Sequence, residues 1–133
     1  MKTSPRYIEA YDISNTAGSD IVAGMIVFRN GRPLKREYKR FKINGLSNQD
    51  DYGAVRQVLT RRFTNYLEQK NGFEVLPDLL LIDGGATHAQ TALDVLESLS
   101  ISLPVFGMVK DDRHRTRALV TADGNEIGID KQQ

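Results

Sequence analysis

Apolar and polar positions alternate at the start of this chain, fall three and four apart through its middle, and alternate again at the end. Tyr7 to Ile13 (YIEAYDI) predicts a strand with Ile8, Ala10 and Asp12 on one face. SNTAGSD reads as a loop, and Ile21 to Phe28 (IVAGMIVF), rich in β-branched residues, as a second, mostly buried strand. Asn30-Gly31 is a hairpin signal, so the stretch through Ile43 is expected to return as strand three, with Pro33 near its start. From Asp51 the period lengthens. Val55, Val58, Leu59, Phe63, Tyr66 and Leu67 make the stripe of an amphipathic helix, capped by Asp50 or Asp51 and stopped at Asn71-Gly72. LLLID, Leu79 to Asp83, lacks polar alternation and reads as an interior strand covered on both faces. After Gly84-Gly85, Thr87 and Gln90 stand at capping-box spacing, and Ala89, Ala92, Leu93, Leu96 and Leu99 outline a second helix. Leu103 to Val109 is a further strand, and ALVTADGNEIGI closes as a hairpin about Asp123-Gly124.

This order predicts an α/β fold: a mixed sheet, with a three-strand antiparallel meander plus parallel strands, flanked by helices. One helix joins LLLID to the next strand, which implies a parallel pair in a right-handed crossover. Asp12 leaves the first strand and Asp83 the fourth, and ligands of open α/β sheets gather at the carboxyl ends of strands. If those strands are parallel neighbours the two carboxylates arrive together, the arrangement of an RNase H-like nuclease core. Such a pair repels unless a cation sits between its members, and an oxygen-bound divalent ion is the natural partner. Two such ions roughly 3.5–4 Å apart serve phosphodiester hydrolysis. The plain alternative is that both aspartates cap the loop or helix that follows.

Composition narrows the chemistry. With 133 residues, 40% hydrophobic and 26% charged, the chain is sized for a single domain with one modest core. No apolar run approaches the ~18 residues of a membrane span, and MKTSPRY is no signal peptide. The absence of cysteine excludes disulfides and thiolate metal sites and favours a reducing, cytoplasmic setting. Two histidines cannot build a His-rich zinc site, which leaves magnesium, manganese or calcium. The formal net charge of +1 hides a local excess: Arg29, Arg32, Lys35, Arg36, Lys39, Arg40 and Lys42 face the single acid Glu37, with Tyr38 and Phe41 among them. That stretch is either a solvated strand face or a surface that meets a polyanion.

Four collinear blocks carry a resemblance: YIEAYDISNTAG, DDYGAVRQVLTRRF, LPDLLLIDGG and PVFGMVKDDRHRTRAL. They resemble the C-terminal endonuclease domain of the UvrC family, the incision subunit of bacterial nucleotide excision repair, over nearly the whole chain. The resemblance implies an RNase H-like fold, a cut on the 5′ side of a DNA lesion, and Mg2+ or Mn2+ as cofactor. It implies damaged double-stranded DNA as partner and, through the full-length protein, the UvrB–DNA pre-incision complex. It puts catalytic carboxylates on Asp12 and Asp83, the expected metal ligands, and a further functional aspartate on Asp51. It also implies that this chain is a fragment, since the family's catalytic His lies on a later helix, followed by a helix-hairpin-helix tail. The family often has His where Asn15 stands, and a Gly-Lys-Gly-Gln run after its aspartate where this chain has Gly84-Gly85-Ala86-Thr87-His88. A fragment of this kind is expected to fold yet cut poorly.

Other residues stay open to two readings. Asp51 is a helix cap or a site residue, and Arg62, beside the apolar stripe, is a candidate partner for it, while Arg61 points to solvent yet is a candidate DNA contact. Lys110, Arg113, His114 and Arg115 form a loop that faces phosphates or water. His88 reads as a neutral surface residue. Gly84-Gly85 gives a sharp turn or, less simply, a phosphate-cradling loop. The rivals to a nuclease are a catalytically silent DNA-docking module and a small nucleotide-binding domain.

Overall fold

The computed structural model describes residues 6–15, 20–45, 50–110, 113 and 116–128. The strands are β1 (Tyr7–Asn15), β2 (Ile21–Arg29), β3 (Arg32–Pro33), β4 (Lys39–Ile43), β5 (Leu79–Asp83), β6 (Val105–Lys110), β7 (Thr116–Val120) and β8 (Glu126–Gly128). The helices are α1 (Asp51–Leu67) and α2 (Ala86–Ser98). All eight strands join one sheet in the order β3-β2-β1-β5-β6-β7-β8, with β4 also beside β2. β1 runs antiparallel to β2 and parallel to β5, and β5 runs parallel to β6. This is the mixed sheet that the order of periods predicts.

The expected third strand is interrupted. A 3-10 turn at Lys35–Glu37 separates β3 from β4. Pro33 has no N–H with which to extend the ladder. Leu34 donates to the carbonyl of Val27 at 2.8 Å and packs its half-buried side chain on the core, and Glu37 closes the turn on Leu34 at 3.0 Å. The hairpin before it is as predicted, with Asn30 and Gly31 at φ 54° and 79°.

Both helices pack on the same face of the sheet. Tyr11, Met25, Val27, Leu80, Ile82 and Val105 lie beneath them in one core with Val55, Leu59 and Phe63 of α1 and Val95 and Leu96 of α2. The opposite face carries Ala10, Ile26, Leu81 and Phe106 in one cross-strand row, and no helix covers it among the described residues. LLLID is therefore helix-covered on one side only. Its apolar run from Leu79 to Ile82 shows that no charge precedes Asp83, not what lies on each face.

The caps divide differently from expectation. Asp50 caps α1, accepting from the Gly53 N–H at 2.8 Å, which is worth about 1 kcal/mol. The capping box of α2 does not form, because the helix begins at Ala86 and Gly85 is its N-cap. Thr87 thus falls inside the first turn, and Gln90 donates to Asp94 at 2.8 Å instead. Arg62 is also not the partner of Asp51. Its guanidinium donates to Glu9 of β1 at 3.0 and 2.6 Å, fully buried, and to the carbonyls of Phe73 and Val75 at 3.2 and 2.5 Å. Three helical turns, about 16 Å of rise, separate Asp51 from Arg62 along α1.

Candidate active site

Register brings the two carboxylates together. Tyr11 pairs with Ile82 across the parallel β1–β5 ladder, so Asp12 and Asp83 are the next neighbours on the helix-free face. In its protonated form the Asp12 carboxyl is the hydrogen-bond donor to Asp83. Partial loss of solvent, that hydrogen bond and the charge of Asp83 push Asp12 up to about 6. Burial opposes ionisation of Asp83 too, but the hydrogen bonds from Asp12 and Lys110 outweigh it and hold its carboxyl below the usual range. Lys110, at the end of β6, donates to Asp83 Oδ2 at 2.9 Å, and its own pKa rises through that bond. Below about pH 6, one proton and one ammonium thus hold the two carboxyl groups side by side. The cleft around them has a volume of about 390 Å³, with Ala10, Gly24, Ile26 and Met108 in its walls. A larger hollow of about 440 Å³ beside α2 holds Asp94 and Glu97 but lies away from this pair.

The turn behind Asp83 is tightly built. Gly84 has φ 147°, and a Cβ there would come within 2.4 Å of the His88 ring. On β6, a Cβ on Gly107 would lie 2.6 and 2.7 Å from the carbonyl oxygens of Gly84 and Gly85. Those contacts are with backbone, so they are relieved only if the turn moves. Gly107→Ala is expected to cost about 1–3 kcal/mol as overpacking and to shift Asp83 from Asp12. Chemical denaturation measures the first effect. A variant as stable as the parent would show that the turn is free to move.

His88 belongs to this neighbourhood, contrary to its reading as a plain surface residue. Its ring lies over Gly84, packs against Tyr52 at a 44° tilt with centroids 4.7 Å apart, and helps to lower the pKa of Asp83. The signal available in the sequence was its place in the first turn of a helix that starts right after a strand-end carboxylate. Asp51 precedes Tyr52 in the exposed first turn of α1. Among the described residues no three acidic or histidine side chains converge as a metal cluster, so Asp51 does not join the pair as a ligand.

The predicted basic contacts are distributed. Lys35, Arg36, Arg40 and Lys42 are exposed, as is Arg113. The Lys39 ammonium lies 4.9 Å from the centroid of Phe73. Arg61 donates to the Lys42 carbonyl at 2.8 Å and covers Phe41 at 5.3 Å. His114 and Arg115 lie outside the described residues.

A family model, the UvrC RNase H endonuclease domain, matches residues 1–133. The chain belongs to this family. It is 48% identical, over 90% of its length, to the UvrABC system protein C of Caldanaerobacter subterraneus subsp. tengcongensis, and 51% identical, over 97%, to that of Clostridium novyi. It spans about a fifth of these relatives, 21% and 22% of their lengths. Human endonuclease V aligns with a TM-score of 0.51 at 10% identity, over 88% of this chain and 63% of that one. Ciona intestinalis endonuclease V, solved with DNA containing an inosine, aligns with a TM-score of 0.53 at 18% identity, over 81% of this chain and 47% of that one. At these identities the likeness speaks for the fold, which is RNase H-like. No helix among the described residues is long and apolar enough to cross a membrane.

Proposed function

We propose that this chain is a divalent-metal-dependent endodeoxyribonuclease domain of nucleotide excision repair, hydrolysing a phosphodiester bond on the 5′ side of a DNA lesion. The observation that carries the reading is the Asp12–Asp83 pair, side by side where the parallel β1–β5 ladder ends, with Asp83 last in β5 and Asp12 three residues before the end of β1. Its chemistry fits Mg2+ or Mn2+. Both donors are hard carboxylate oxygens, the raised pKa of Asp12 reflects partial burial beside the Asp83 carboxylate, a setting that a cation would make favourable for the charged form, and two protein carboxylates with water completing the shell suit Mg2+. When bound, the ion supplies Lewis acidity toward the phosphodiester. The residues of the chain do the rest. Asp12 and Asp83 hold the ion, Lys110 keeps Asp83 ionised and sets a positive charge beside the phosphate, and the Gly84-Gly85 turn fixes Asp83 in place. Tyr52 and His88 form the adjoining ledge, with Asp51 as a supporting acid. The exposed Lys35, Arg36, Arg40 and Lys42 supply phosphate attraction, and damaged duplex DNA, presented with UvrB by the larger assembly, is the proposed partner.

The test is Mn2+-dependent nicking of a damaged duplex, by this chain and by the chain extended with the segment that follows the matched region in the Clostridium novyi relative. Slow nicking by the first, faster nicking by the second and loss of both with a chelator are expected. Duplex binding with no metal-dependent nick in either form would leave a docking module and overturn the nuclease reading.

A further inference from the structure

The basic stretch and the carboxylates meet in one cross-strand row. Gly24 of β2 pairs with Asp12 on one side and with Arg40 of β4 on the other. Arg40, Gly24, Asp12 and Asp83 therefore lie side by side on the helix-free face. At ~4.8 Å between strands, the Arg40 backbone is about 10 Å from that of Asp12. Only a glycine stands between, and a Cβ there would meet nothing nearer than the Asp12 carbonyl at 4.0 Å. The gap is real space. The cleft at the carboxylates, about 390 Å³, and a second of about 400 Å³ share Asp12, Gly24 and Ile26. The second is walled by Tyr38, 36% exposed, and Arg40.

We propose that these two clefts form one groove for the DNA strand that is cut, with Gly24 as its floor, Arg40 holding a phosphate adjoining the one at Asp12 and Asp83, and Tyr38 stacking on a base. The assignment rests on the nuclease reading and adds the path of the strand. Its charge suits that occupant. Lys110 stands at one end and Arg40 at the other, with Lys42 two residues along the same strand face. Between them lie Gly24 and the carboxylate pair that would hold the cation, with the apolar Ile26 and Ala10 beside them. A polynucleotide strand offers a matching anionic backbone and uncharged π-faces.

The experiment measures binding of a fluorescent duplex with a single-stranded gap, in Ca2+, to this chain and to Gly24→Val, Arg40→Ala, Tyr38→Ala and Lys70→Ala. The Mn2+-induced rise in melting temperature is followed in parallel. Gly24→Val fills the floor with a β-branched residue that a strand accepts, and is expected to weaken DNA binding at least about tenfold while the Mn2+ response stays intact. Arg40→Ala should lower the salt slope by about 0.9. Tyr38→Ala should weaken binding about 5- to 100-fold with the slope unchanged, as loss of one stacked base does. Lys70, ion-paired to Glu68 beyond the end of α1, is the charge control and should change little. Parental affinity in both Gly24→Val and Tyr38→Ala, with the Mn2+ response present, would overturn the groove and leave the nuclease reading standing. A parent chain with no Mn2+ response would instead remove the nuclease reading, and the groove with it.

Discussion

Arg62→Ala is expected to destabilise the chain by about 3–5 kcal/mol, the cost of removing one partner from a buried ion pair. Glu9 and Arg62 are 0% and 2% exposed. With the guanidinium gone, Glu9 would keep only the Tyr11 hydroxyl, which donates to it at 2.6 Å. The carbonyls of Phe73 and Val75 would lose the donor that ties the segment after α1 to the sheet. A domain of this size has about 5–15 kcal/mol of stability in all, so the variant should approach the threshold of unfolding at 37 °C. Urea denaturation gives the number. The double variant Glu9→Leu with Arg62→Met should recover part of the loss, because apolar replacements of a buried pair are often tolerated. A loss below about 1 kcal/mol for Arg62→Ala would mean that water reaches Glu9 and that the pair is not the brace between α1 and β1.

How much of this was legible in the sequence depends on what periodicity can encode. The strands, both helices and the neighbourhood of Asp12 and Asp83 follow from period changes and from the rule that one helix joins parallel strands. The pairing of Glu9 with Arg62 was not legible. A glutamate between Ile8 and Ala10 looks like the polar half of an alternation, and nothing local says that a helix covers that half. The clue was an arginine at the edge of an apolar helical stripe, which needs a buried acid; Asp51, the acid expected for it, lies three turns away along the same helix. The break between β3 and β4 was hidden because Leu34 and Tyr38 keep a strand-like composition around a 3-10 turn. At α2, the T-x-x-Q spacing was real, but the glycine turn started the helix two residues earlier than the box requires. At the site, sequence order supplied both aspartates. It did not supply the ion pair from Lys110 to Asp83 or the glycine gap beside Arg40, which depend on the registers between strands, or the ledge of Tyr52 and His88, which depends on how α1 packs against α2.

Asp12→Asn and Asp83→Asn should both cut metal-dependent incision by about 10²–10⁴, the usual cost of losing a positioned catalytic group, yet act in opposite directions on the metal-free fold. Folded Asp12 keeps its proton up to about 6, while an aspartate in the unfolded chain releases it near ~4. The folded state therefore binds more protons between those values, and stability falls as pH rises from ~4 to about 6. Asp83 works the other way: its lowered pKa adds stability above ~4 that is lost as pH falls through its folded value. With a chelator present, the parent should be most stable near pH 4 to 5 and weaker at 7, where both carboxylates are ionised. Asp12→Asn removes that repulsion, so its metal-free melting temperature at pH 7 should exceed the parent's, without the decline between 4 and 6. Asp83→Asn removes the negative charge that pairs with the Lys110 ammonium and should bring no such gain. Mn2+ should raise the melting temperature of the parent at pH 7 and of neither variant. An Asp12→Asn chain that still responds to Mn2+ and still nicks DNA would place the ion elsewhere and end the case for this pair. The expected result, a more stable chain that no longer cuts, would show that the repulsion between Asp12 and Asp83 is retained for the cation it draws in.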